Sequence, residues 1–202
     1  MIKNYSIHVS IGNSKIGKMF NFSMPPGKTC SATACKTCYV NGCYACKSYR
    51  QYKNVRAAWD ENYNYFVNDP AGAEKEIVEY LKKHGHKASY FRIHVSGDFY
   101  SREYFAAWVR IAKQFPAIKF LAFTKQFDMI DAAAIPANMA VRLSDWPGVD
   151  IPADLAAVLP VAYCDDHTRP ASTFDGAFRC PGSCTTCKHC FDSKSNTVFT
   201  KH

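Results

Sequence analysis

The ten cysteines of this 202-residue chain fall into two short runs and one isolated position. Cys30, Cys35, Cys38, Cys43 and Cys46 form the first run, with four, two, four and two residues between successive thiols. Cys180, Cys184, Cys187 and Cys190 form the second, with three, two and two between. Cys164 stands by itself. A two-residue gap lets both sulfurs reach one inorganic centre while the intervening backbone amides donate to the thiolates. Cysteine is only about 5% of the chain, below the density of a disulfide scaffold, and a chain of this length folds without staples. The N-terminus alternates polar and apolar residues with no continuous apolar core, so the expectation is a reducing, cytoplasmic compartment, where clustered thiols mean metal or redox chemistry. Zinc knuckles are usually a dozen or more residues apart, whereas only four separate Cys38 from Cys43. Tight consecutive loops suit a cuboidal iron–sulfur cluster better. The expectation is two [4Fe-4S] clusters, with zinc as the alternative metal and one cluster plus one zinc left open.

Charge follows the cysteines. No Asp or Glu precedes Asp60, while nine Lys or Arg do; residues 60–166 are net acidic and the last 36 net basic. A basic surface can simply solubilise the chain. It can also balance thiolate-ligated clusters or hold a phosphate-bearing partner. No apolar run approaches the roughly 20 residues of a membrane helix, so no membrane partner is expected.

The elements that must position these thiols are legible from periodicity. Tyr5–Ile11 and Met19–Met24 alternate around Gly12-Asn13 as a β-hairpin. One helix is predicted over Ser48–Phe66. A second starts at Asp69-Pro70 and stops at Gly85. Strands are predicted at Tyr90–Val95, Ile118–Phe123, Met139–Leu143 and, interrupted by Pro160, Val158–Tyr163. Helices Ser101–Phe115 and Phe127–Ala134 lie between them, and the chain reads as loop from His167 onward. Alternating strands and helices imply a parallel sheet, and each of the four strands ends in polar or thiol residues, on the edge where α/β sheets build sites. A complete eight-fold barrel takes about 250 residues. The expected fold class is therefore α/β, a partial parallel (β/α) barrel in one domain. Its segments are a hairpin (1–24), a first Cys loop (25–47), the partial barrel (48–166) and a C-terminal Cys-rich segment (167–202).

A cysteine loop followed by strands ending IHVSGDF, FTK and LSD resembles a reduced radical S-adenosylmethionine core. The chain is also similar to the phage gene product 88 family. The motifs that carry this are Cys43-Tyr44-Ala45-Cys46-Lys47, Val95–Phe99, Phe123-Thr124-Lys125, Cys180–Cys190 and Phe199–His202. The first resemblance implies a radical-SAM-like fold, an open [4Fe-4S] cluster on three of Cys30, Cys35, Cys38 and Cys43, and S-adenosylmethionine as candidate cofactor. Ser96, Gly97 and Asp98 would then sit at the turn that receives its amine, with Lys125 and Asp145 lining the pocket. Two departures are specific: the first loop opens with a 4-2 spacing where radical enzymes use 3-2, and the second run adds Cys190 after its 3-2.

Other readings of single residues are structural. Asp98 is also an N-cap candidate for the helix near Ser101. His94 reads as a strand residue, Asp165, Asp166 and His167 as an acidic loop, and Trp59 and Trp108 as core. Lys125 and Arg142 are candidates for binding a carboxylate or phosphate, Asp145 for a ligand role at the same rim, and Cys164 for a stray cluster ligand. The leading expectation is a radical-type enzyme of unknown substrate. The alternative is a non-catalytic iron–sulfur or zinc protein whose basic ends hold nucleic acid or a protein target.

Overall fold

A computed structural model describes residues 5–13 and 16–200. Gly12-Asn13, expected at the turn, are instead the last residues of β1, and residues 14–15 and the terminal His202 of the last motif lie outside the described residues.

The hairpin forms where the alternation predicts it. β1 (Val9–Asn13) pairs antiparallel with β2 (Gly17–Phe22), slightly displaced from the expected bounds. It does not stand apart: β2 runs parallel to β3 (Tyr90–Ile93), and β4 (Lys119–Thr124), β5 (Met139–Ser144) and β6 (Val161–Asp165) continue the parallel sheet. Two strands arise from the segment read as loop. β8 (Thr197–Thr200) lies parallel beside β6, and β7 (Phe178–Arg179) beside β8. The order is β1-β2-β3-β4-β5-β6-β8-β7. The fold is thus mixed α/β with an open, partly parallel eight-stranded sheet; β1 and β7 are its edges, and no closed barrel forms.

Side chains alternate across a strand, and the two faces carry different loads. Phe20, Phe22, Phe91, Ile93, Phe120, Ala122 and Val141 all point to one side and are essentially buried. On them pack α3 (Lys53–Asn68), α4 (Pro70–His84) and α5 (Arg102–Gln114), through Phe66, Ile77, Leu81, Phe105, Trp108 and Ile111. Phe91 stacks on Phe120 at 5.3 Å, in register across β3 and β4. Asp69 caps α4 by accepting from Gly72 N, with Pro70 at the first helical position. Ser101, rather than Asp98, caps α5 by accepting from Tyr104 N.

The single helix expected over 48–66 is two. α2 (Tyr44–Gln51), preceded in the cysteine loop by the short α1 (Ala32–Lys36), ends at Tyr52, whose backbone is extended, and α3 starts after it; a short α6 (Ala153–Ala156) precedes β6. The break lets α2 fold back: Tyr49 stacks on Trp59 at 6.2 Å and its hydroxyl donates to Asp60. The strand placed at Val158–Tyr163 starts only at Val161, beyond Pro160, which has no N–H for the ladder. Between β4 and β5 only two 3-10 turns form, at Phe127–Met129 and Ala132–Ala134.

The opposite face carries Tyr90, Arg92, Phe123 and Arg142, and against it the C-terminal segment is fastened. α7 (His189–Asp192) lies there, with Phe191 edge-on to Tyr90 at 4.9 Å. Arg142 is fully buried. Its guanidinium donates to the carbonyls of Cys190 (3.0 Å), Ser195 (2.8 Å), Ser193 (2.7 Å) and His189 (3.4 Å) and to Thr197 Oγ1 (3.0 Å). Five donors in a planar fork match five acceptors, which offsets the burial of the charge. The carboxylate- or phosphate-binding role considered for Arg142 is therefore corrected: its donors are spent inside the fold. No helix among the described residues is long and apolar enough to cross a membrane.

Arg142→Lys keeps the charge but loses the fork. It should destabilise the protein by about 2–4 kcal/mol, since several buried acceptors lose their donors. Urea unfolding, with hydrogen exchange showing earlier opening of residues 189–197, checks this.

Candidate functional site

The first cysteine loop is tied to the carboxyl end of β3, and the residues that tie it are Ser96, Gly97 and Asp98. Met24 N donates to Ser96 O at 2.9 Å, and Ser96 Oγ returns a bond to Met24 O at 2.9 Å. Asp98 N donates to Thr29 Oγ1, and Thr29 Oγ1 donates to Pro25 O. Gly97 adopts φ +83, and a Cβ there would stand 2.7 Å from Thr29 Oγ1 and 2.8 Å from Met24 Cβ. Only glycine supplies both the backbone and the clearance.

Asp98 is buried, and its carboxylate accepts three bonds. Oδ1 accepts from Phe99 N (2.8 Å) and Thr124 Oγ1 (2.7 Å), and Oδ2 from Lys125 N (2.7 Å). Burial raises its pKa, and these three bonds oppose the rise. Asp98 thus joins the ends of β3 and β4 beneath the loop. Both of its oxygens already accept bonds from the protein itself while the residue lines the cavity.

The loop so held closes over a cavity of about 650 Å³ at the strands' carboxyl ends. Cys30, Cys38 and Cys43 line it from the loop, and Cys164 lines it from the end of β6. Ser96, Gly97, Asp98, Lys125 and Asp145 line it too. Lys125 Nζ donates to Ser144 Oγ at 2.9 Å and lies 5.5 Å from the Trp146 ring centroid. Asp145 pairs with Arg169 at 2.6 Å, a partner sequence reasoning missed. Tyr44 OH donates to Val95 O, bracing the start of α2 over β3.

The thiols of the first run lie close enough to influence one another. Burial pushes Cys30 up to about 12, with the Gly27 N–H opposing and Cys38 and Cys35 adding to the rise. Burial also raises Cys38, against the pull of Lys125. Cys46 rises to about 12 through burial and its neighbour Cys43. Buried thiols of this kind stay protonated unless a cation takes the place of the proton. Gly27 N donates to Cys30 Sγ at 3.3 Å, and Cys35 Sγ donates to Gly27 O at 3.2 Å. Cys43 and Cys46 also line a groove of about 750 Å³ beyond the loop, with Tyr39, Lys47 and Arg50. Among the described residues, no three His, Cys, Asp or Glu side chains are gathered as a metal-ion site.

The second run lies elsewhere. Cys180 follows β7, its N–H bonded to Val198 O, and Gly182 N donates to Cys180 Sγ at 3.4 Å. Cys190 sits on α7 beneath Arg142, its thiol raised by burial and lowered by Arg142. Lys188 Nζ donates to the Cys184 carbonyl. The two runs lie apart: the first crowns the carboxyl rim, and the second packs on the sheet face that Arg142 serves. The Asp165–His167 loop is structural, with Asp165 bonded to Arg179 at 3.1 Å and Asp166 to Thr168.

Gly97→Ala should lower stability by about 1–3 kcal/mol through strain at positive φ and should loosen the loop above it. Alkylation of Cys30 and Cys38, followed by mass spectrometry, should be faster than in the parent protein. Unchanged rates would show that the clasp does not hold the loop.

Comparison with known proteins agrees with the shared motifs. The "Gene 88 protein" of Mycobacterium phage L5 is 26% identical over 228 residues, covering 98% of this chain and 93% of that protein. The "Gene 88 protein" of Mycobacterium phage D29 is 25% identical over 229 residues, with the same coverage. No solved structure matches the chain. The family model described as Gene product 88 matches residues 6–150, more than half of the chain. The chain therefore belongs to the gene product 88 family.

Proposed function

We propose that this chain is an iron–sulfur protein whose first cysteine loop holds a [4Fe-4S] cluster over the carboxyl rim, and whose cavity takes the molecule acted upon. In this reading it is a reduced enzyme of the radical S-adenosylmethionine type. The observation that supports it is the sharing of one cavity by Cys30, Cys38 and Cys43 with Lys125 and Asp145. The donor types suit the group: soft thiols that influence one another pairwise, Cys30 with Cys38 and Cys38 with Cys43, with a backbone N–H aimed at one sulfur.

When bound, such a cluster supplies a low-potential electron. The chain's own residues do the rest. Cys30, Cys38 and Cys43 hold the cluster as thiolates, and Gly27 N–H lowers the charge density on the Cys30 sulfur. Asp98 is a positioning residue, fixing the loop through Asp98 N and the β4 end through Lys125 N. Lys125 presents its ammonium to the carboxylate of a bound cofactor. Tyr44 and Trp146 limit water. The second run, Cys180, Cys184, Cys187 and Cys190, carries an auxiliary cluster or a zinc ion in the same reading.

Anaerobically purified protein should be brown and contain iron and sulfide. Cys30→Ser and Cys38→Ser should each lose the iron of the first site, and Cys184→Ser the iron or zinc of the second. S-adenosylmethionine added to the reduced protein should change its EPR signal and release 5′-deoxyadenosine. A colourless protein with stoichiometric zinc would sink the proposal.

A second reading, nucleic-acid binding, is favoured by the surface around α2 and α3. Lys47, Arg50, Lys53 and Arg56 are exposed there, as is Tyr52 at 50%. None of these cations forms an ion pair among the described residues. Lys47 and Arg50 also line the groove beside Cys46. Anisotropy with a labelled oligothymidylate should show log K falling against log salt with a slope of about −0.7 for each phosphate contacted. The Arg50→Ala/Lys53→Ala/Arg56→Ala protein should have a shallower slope. A flat salt dependence removes this reading.

A further inference from the structure

One cation in the cavity has no task in the proposed chemistry. Arg92, on β3, lines the cavity and lays its guanidinium 4.3 Å from the centroid of the Phe123 ring. Its Nε is buried with no hydrogen-bond partner. No carboxylate pairs with it among the described residues. The carboxylates that share the cavity are engaged: Asp98 accepts three bonds, and Asp145 faces Arg169. Arg92 is half-buried, and a buried Nε with no partner is costly unless an anion completes it. Contrast Arg142, on the same sheet face, whose five donors all meet protein acceptors.

The rest of the wall suits a planar organic body. Phe123 meets Phe199 edge-on at 5.6 Å, and both line the cavity together with Tyr163 and Trp146. Lys125 brings a second cation not paired with a carboxylate, its ammonium held by Ser144.

We propose that the molecule bound in this cavity is an aromatic or heterocyclic anion whose carboxylate or phosphate docks on the open fork of Arg92, with its ring among Phe123, Phe199 and Trp146. This rests on the cavity of the preceding reading and names the substrate class that it takes. It does not depend on which metal the thiols hold. A planar fork fits either oxyanion bidentately, and the ring stacked beneath Arg92 leaves the edges of the guanidinium for that contact.

Titration calorimetry of the full chain, purified anaerobically with its native metal, tests this with benzoate and phenyl phosphate as probes and benzyl alcohol as the neutral control. At least one of the two anions should bind saturably, and the stronger of them identifies the oxyanion. Arg92→Gln should weaken that binding by about tenfold or more, Arg92→Lys should recover only part of it, and Lys82→Gln on the exposed side of α4 should change nothing. Iron and zinc content should be the same in all variants. No saturable binding of either anion below about 10 mM, where affinity becomes negligible, overturns the proposal, as does equal binding by Arg92→Gln. Loss of metal from Arg92→Gln with anion binding intact also overturns it, because Arg92 would then be the counter-cation of Cys190, whose thiol it already influences. A zinc-containing or metal-free chain that binds the anion through Arg92 would refute the cluster proposal and leave this one standing.

Discussion

The arrangement depends on one buried carboxylate. Asp98 sits where the ends of β3 and β4 meet the first cysteine loop, and it holds them with four bonds: three donors on its oxygens and its own N–H on Thr29. A carboxylate in such a place costs free energy unless it is hydrogen-bonded. Once so bonded, it fixes its surroundings, because moving any one partner exposes the others. Thr29 in turn bonds Pro25 O, and Ser96 bonds the same loop at Met24. The thiols of Cys30, Cys38 and Cys43 are thereby held over the cavity by a rigid clasp and not by a free loop. Burial that raises the pKa of Cys30 and Cys38 is the other side of the same packing, which withholds solvent from their sulfurs.

A second clasp works on the same sheet by the same physics. Arg142 gathers four carbonyls and a hydroxyl from the C-terminal segment, and β8 enters the sheet beside β6. The segment carrying Cys180 to Cys190 is thus integral to the fold. Arg92 lies between the two thiol regions, near Cys190 on one side and lining the cavity on the other. Any charge taken up in the cavity is therefore felt by both.

The parts of this arrangement that were legible in the sequence are those written in periodicity. The hairpin, β3, β4, β5, α4 and α5 follow alternation or helical spacing with recognisable caps, and the polar strand ends point to the rim where the cavity lies. Parts that depend on a distant partner were not legible. Ser96-Gly97-Asp98 reads as a ligand turn because nothing nearby in sequence reveals Thr29 and Met24, some 70 residues upstream, as its partners. Arg142 reads as a free cation because its acceptors are backbone carbonyls, which are present everywhere and mark nothing. The β8 strand, Thr-Val-Phe-Thr, is only four residues long, too short for alternation to separate it from loop. Arg92 reads in the sequence as one polar residue in a strand; its place between Phe91 and Ile93, on a strand with neighbours on both sides, is the signal that marks it.

Iron anomalous diffraction from crystals of the anaerobically purified protein tests the central claim most directly. The account predicts an iron peak inside the cavity, bonded to the sulfurs of Cys30, Cys38 and Cys43, with Asp98 still bonded to Thr124 and Lys125 beneath it. Bare sulfurs, disulfides among them, or iron bound away from the carboxyl rim would contradict it.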